Sequence, residues 1–155
     1  MTSPNVAHGV FTLERIYPVS PARVFAAWSD TEARAQWFVG PENWQVEIRE
    51  ADFRVGGQER VRGRFPNGGV SDFQATYRDI VPGRRIVYVY DMYVGETKIS
   101  VSLASVTFEA VAGGTRLTVT EQGVFLDGYE DAGSREHGTG VLLDNLGAAL
   151  ARAPT

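Results

Sequence analysis

Between Thr115 and Val124 a single carboxylate, Glu121, falls in step with Leu117 and Val119 at period two, so on a strand it faces the same side as they do. A carboxylate turned toward a core loses hydration, and desolvation raises its pKa. Inside a cavity such a group can hold a ligand's polar end or move a proton. A strand end that turns it to solvent, or a structural salt bridge, is the alternative. Arg135 is its natural partner: the helical period of the C-terminal segment, extended backward, puts it on the face of Leu142 and Leu146. A helix beginning at Ser134 would instead leave it hydrated in the first turn. Asn145, at the edge of that stripe, could bond a ligand or a strand backbone. The aromatic residues Trp28, Trp37, Phe38, Tyr77, Tyr88 and Tyr90 either fill a core or line a cavity, and a buried tyrosine hydroxyl needs a partner. If Tyr88 and Tyr90 faced outward they would form an apolar patch suited to a homodimer contact. These residues are the cavity candidates.

Other chemistries have no residues to carry them. Two histidines, His8 and His137, stand far apart in sequence, the first in a short tail and the second on the side of Asp144, away from the leucines. Neither is placed as a base, since a catalytic base must reach its substrate. With no cysteine, thiolate metal sites, iron–sulfur clusters and disulfides fall away. No Gly-x-Ser-x-Gly elbow, phosphate loop or dinucleotide fingerprint occurs; Gly138-Thr139-Gly140 lies within a helical pattern, where the glycines suit close approach to a sheet. No catalytic residue, metal ligand or cofactor is therefore assigned.

The elements that position these residues follow from changes of period. Residues 1–9 read as a tail, and residues 10–153 as one domain. Val10–Tyr17 reads as a strand. Ser20 can cap a helix opening at Pro21, and a second short helix runs from Asp30 or Thr31 to about Phe38. Period two then governs six strands: Trp44, Val46 and Ile48 alternate with polar residues, and Gln58–Phe65, Val70–Val81, Arg84–Tyr93, Ile99–Ala110 and Thr115–Val124 follow, most of them divided by glycine-rich turns. Short turns make successive strands antiparallel neighbours. In the last segment Leu142, Leu143, Leu146, Ala149 and Leu150 share a helical face, while Asp144, Ala148 and Arg152 point away. One long helix must bury that stripe on the sheet, which makes the fold α+β.

Composition agrees. The chain has 155 residues, 43% hydrophobic and 22% charged, with a net charge of −4. That length suits one domain, which buries about 68–70% of its unfolded surface. The acidic balance argues against nucleic acid. The longest apolar runs, such as Ile86–Tyr90, fall far short of the ~18 residues of a membrane span. Met1 to Gly9 contain no basic cluster before an apolar core, so a cytoplasmic location is expected.

Four segments together resemble one family: PARVFAAWSDTEARAQWF at 21–38, ADFRVGGQERVRGRF at 51–65, IVPGRRIVYVY at 80–90 and LLDNLGAALAR at 142–152. The chain is similar in them to the family of the activator of heat shock protein 90 ATPase, within the START-like (SRPBCC) helix-grip superfamily. That resemblance implies an antiparallel sheet of about seven strands wrapped around a long C-terminal helix, with two short helices after the first strand. It also implies a cavity between sheet and helix for an apolar or amphipathic small molecule. Co-chaperone activity is the last property to carry over, since the eukaryotic co-chaperone has a further N-terminal domain not found in these residues. The expected function is ligand binding rather than catalysis, with Glu121, Arg135 or Asn145 orienting a polar end. The alternatives are cyclase- or hydrolase-like acid/base chemistry in the same cavity, or a chaperone-associated interaction module. Fold does not choose among them.

Overall fold

A computed structural model describes residues 4–152. In chain order these form β1 (Val6–Tyr17), α1 (Pro21–Ser29), α2 (Thr31–Arg34), β2 (Gln45–Ala51), β3 (Gln58–Arg64), β4 (Val70–Val81), β5 (Arg85–Val94), β6 (Thr97–Val111), β7 (Gly114–Leu126) and α3 (Ala132–Arg152). The seven strands make one sheet in the order β1-β7-β6-β5-β4-β3-β2, every pair antiparallel. This is the expected α+β helix-grip architecture, with α3 laid along one sheet face and two short helices following the first strand.

Short connections fix the meander from β2 to β7. Between β4 and β5, Pro82-Gly83 turns the chain: Gly83 takes φ +73°, and the Arg84 amide donates to the Val81 carbonyl at 2.9 Å. Only β1 lacks such a turn. The chain leaves it through α1 and α2 and re-enters at the opposite edge as β2, and α1 packs on β6, β7 and α3 along the way. Bulges between Val46 and Ile48, Tyr77 and Asp79, and Met92 and Tyr93 bend the strands around the helices.

Helix starts are fixed by side-chain caps. Ser20 accepts from the Arg23 amide at 3.3 Å and Asp30 from Ala33 at 3.0 Å. Asp131 accepts from Ser134 at 2.8 Å, so α3 begins at Ala132, and Arg135 is buried rather than hydrated. Toward its C-terminal end, α3 presses Leu143, Leu146 and Leu150 into a core with Val24, Trp28, Trp37, Ile86, Val106, Phe108 and Leu117. The Tyr17 hydroxyl donates to the Leu143 carbonyl at 2.7 Å and ties β1 to the helix.

Three expectations need correction. Strand β1 starts at Val6, not Val10, because pairing with β7 extends to Val6 opposite Leu126; His8 is therefore a strand residue facing solvent, not part of a tail. The remaining tail residues 1–3, and residue 153, lie outside the described residues. Helix α2 ends at Arg34, and turns carry the chain on to Phe38. The two helical glycines also differ. A Cβ at Gly140 would come within 3.3 Å of Arg15 on β1, whereas Gly138 meets open space.

Candidate functional site

Strand β6 presents small, buried residues to the inner sheet face between β5 and β7. Its inward residues Ser100, Ser102 and Ala104 are small, while the larger Val101 and Leu103 point outward and are exposed. Gly123 on β7 pairs with Ser102, so two neighbouring strands contribute little volume at this point. The larger side chains of β4, β5 and β7 stand around the gap, and α3 roofs it. The resulting cleft has a volume of about 690 Å³ and is lined by residues of the α2–β2 connection, β4, β5, β7 and α3.

A connected polar cluster stands at the α3 N-terminal end of the cleft. Glu121 is 5% exposed and faces inward, as its period-two placement predicts. The Tyr90 hydroxyl donates to Glu121 Oε1 at 2.6 Å and accepts from Arg135 Nη1 at 2.8 Å. Arg135 Nη2 donates to Ser100 Oγ at 2.8 Å and also to Glu130 Oε2. Arg135, 7% exposed, is thus joined to Glu121 only through Tyr90, and its direct carboxylate partner is Glu130. That corrects the expected Arg135–Glu121 pairing: Glu130 precedes the helix, and its loop brings the carboxylate back over the guanidinium. Burial pushes the Glu121 carboxyl above its ordinary pKa, against the Tyr90 hydrogen bond and the Arg135 charge. Burial likewise raises the Tyr88 and Tyr90 phenols, and the nearby Glu121 charge adds to it.

Nine of the eleven residues singled out from the sequence line this cleft: Trp28, Trp37 and Phe38 from the first helices and the turn after them, Tyr88 and Tyr90 from β5, Glu121 from β7, and Arg135, Leu142 and Asn145 from α3. Tyr88 and Tyr90 therefore face inward and form no outer patch for a dimer contact. Asn145 reaches the Trp37 carbonyl at 3.5 Å. Two residues do not join them. Leu146 is wholly buried in the core, and Tyr77 lies further along β4, against Phe53 at 4.9 Å between ring centres, with its hydroxyl 3.2 Å from Glu59. His137 is exposed on the outer side of α3.

One buried charge pair went unnoticed in the sequence. Arg34 and Glu59, 4% and 3% exposed, meet through two hydrogen bonds of 2.5 and 2.8 Å. The guanidinium also lies over Phe38 at 3.9 Å and near Trp28 and Trp37 at 5.0 and 5.1 Å. The available signal was an arginine one turn before the Trp37-Phe38 pair, which only the folded position of that turn makes internal.

The fold is matched by known proteins. The family model described as "Activator of Hsp90 ATPase homolog 1-like protein" matches residues 18–151. The chain belongs to that family. As a member of the Activator of Hsp90 ATPase homolog 1-like family, it also belongs to the START-like superfamily. It is similar to a protein of Rhizobium leguminosarum, with 47% identity, 98% of this chain and 100% of that one covered, and a TM-score of 0.93. A Rhizobium loti protein is 43% identical over 94% and 99% of the two chains, with a TM-score of 0.84. The fold alone is shared with an AHSA1-like protein of Aeromonas hydrophila, at 20% identity over 92% of each chain and a TM-score of 0.72. No curated protein matches the chain.

Proposed function

We propose that this family member is a binding protein for a small, largely apolar molecule held between the sheet and α3, working in the cytoplasm. The observation that carries the reading is the cleft of about 690 Å³, walled by aromatic rings and closed at one end by the Glu121–Tyr90–Arg135 cluster. Ligand pockets are commonly of this size, apolar with a few converging polar groups. Phe38, Phe73 and Tyr90 are packed edge to face or tilted, with ring centres 4.8–5.0 Å apart, so the wall is supported in the absence of a ligand. Binding would draw on apolar burial, about 0.8 kcal/mol per methylene, or about fourfold in affinity.

Native mass spectrometry of protein freshly purified from its own organism tests this reading. A retained small molecule is expected, displaced by Trp37→Ala or Leu142→Trp. Absence of any retained mass, together with no thermal stabilisation by apolar compounds, refutes it, because a ligand selective for the folded state must raise its stability.

The buried Glu121 carboxyl favours a second reading, acid/base catalysis on the bound molecule. The two separate cleanly: if Glu121→Gln keeps ligand affinity but abolishes conversion of that ligand, the protein is an enzyme.

A further inference from the structure

We infer that the molecule held in this cleft carries an uncharged hydroxyl or carbonyl end, received by Tyr88 and Glu121, and that ionised ligands such as fatty acids are excluded. The inference rests on the cleft being a binding site at all.

Two polar groups in the cleft are unpaired. Tyr88 lines it and is only 6% exposed, yet its hydroxyl has no hydrogen-bond partner among the described residues. Buried tyrosine hydroxyls normally find one. Glu121 uses Oε1 for Tyr90, while Oε2 accepts nothing among the described residues. The two residues stand in one row of the sheet, each paired in register with Ala104 of β6, and both line the cleft. A ligand hydroxyl reaching both would complete the two groups, and a ligand carbonyl would complete Tyr88. The phenol donates to a carbonyl or hydroxyl oxygen, and Glu121 exchanges a hydrogen bond with a hydroxyl.

Nothing at this end neutralises a ligand charge. Among the described residues Arg135 is the one cation at this end, and Glu130 already balances it while Tyr90 and Ser100 take hydrogen bonds from its two terminal nitrogens. An incoming carboxylate would meet Glu121 and Glu130 without a free cation, which is the costly way to bury a charge. An ammonium would have to compete with Arg135 for Glu130, and burial holds the Glu121 carboxyl toward its neutral form. Arg152 and Glu42 also line the cleft, but both are exposed, and Arg152 lies at the far end of α3, seventeen residues or about 25 Å of helix from Arg135.

Four probes of matched length separate the possibilities: n-decanol, methyl octyl ketone, decanoate and decylamine, titrated calorimetrically at neutral pH into the intact protein. The alcohol and the ketone should bind at least about tenfold tighter than either ion. Tyr88→Phe, which removes one oxygen, should weaken the alcohol and ketone about two- to tenfold and leave a fifth, wholly apolar probe, n-decane, unchanged. Decanoate or decylamine binding as tightly as the alcohol overturns the inference while leaving the binding function intact, as does an equal effect of Tyr88→Phe on every probe. Failure of all the probes to bind overturns the inference and the proposed function together.

Discussion

Replacing Glu59 by Gln should destabilise the protein by about 3 kcal/mol without touching the cleft. Arg34 and Glu59 are both almost fully buried and joined by two hydrogen bonds. Removing one member of a buried pair costs about 3–5 kcal/mol, because the other charge is left uncompensated. Here the loss should fall at the lower end of that range, since Phe38, Trp28 and Trp37 already surround the Arg34 guanidinium at 3.9–5.1 Å and a desolvated cation–π contact contributes about 2 kcal/mol. For a chain of this size 1 kcal/mol corresponds to about 2–4 °C in Tm, so a fall of about 6–12 °C is expected.

The attraction is offset by incomplete satisfaction. Arg34 Nη1 is buried without a hydrogen-bond partner. The pair as a whole therefore contributes far less than its rupture costs, and the double variant Arg34→Met/Glu59→Leu should be closer to wild type than either single variant. Urea unfolding of all four proteins at neutral pH measures the cycle. A Glu59→Gln loss below about 1 kcal/mol, or a double variant as destabilised as the sum of the singles, refutes this account.

Two carboxylates should give stability profiles of opposite sign. Burial raises the folded pKa of Glu121, so its contribution is full below the unfolded value of about 4.3 and is lost as pH rises through the folded value. Glu121→Gln should accordingly raise the urea midpoint at pH 7, with the gap closing toward pH 4; a lower midpoint at pH 7 refutes it. Asp72 behaves the other way: burial opposes its ionisation, but hydrogen bonds from Arg60 and Arg62 outweigh that and hold its pKa low. Its stabilisation is present above about pH 3.9 and lost as pH falls through the depressed folded value, so Asp72→Asn should flatten the acid limb of the stability curve. Gly63→Ala places a methyl 1.9 Å from Trp44 Cε2, and overpacking of that kind should cost about 1–3 kcal/mol by thermal unfolding.

What could be read in the sequence was what depends on a single element. The inward turn of Glu121 follows from two apolar neighbours at period two, and the buried face of Arg135 from a leucine stripe that begins about two turns away. Their connection through Tyr90 depends on which strands are neighbours and on a loop returning Glu130 to the helix, and no period encodes that. Tyr77 shows the same limit in another form: it shares the face of Phe73 but sits further along β4, beyond the end of the cleft. Strand β3, QERVRGR, is rich in charged residues, yet Glu59 is buried, held by Arg34 and the Tyr77 hydroxyl from other elements.

The two buried clusters differ in the space beside them. Around Arg34 the carboxylate has an arginine on both oxygens and a tyrosine besides, the charges cancel, and the adjoining void holds about 10 Å³, room for a single water. Such a cluster can fix the seating of α2 on the sheet, but it has no space in which to receive anything. Around Glu121, among the described residues, the carboxyl keeps one oxygen unused and Tyr88 its hydroxyl, and both face a cleft of about 690 Å³. Burial at a cost without full pairing is stable only if the rest of the fold offsets it, and the dense aromatic and aliphatic core beside the cleft supplies that surplus. If Glu121→Gln stabilises the free protein while weakening the alcohol probe, the cost carried by Glu121 and the hydrogen bond it offers a ligand are two consequences of the same unpaired oxygen.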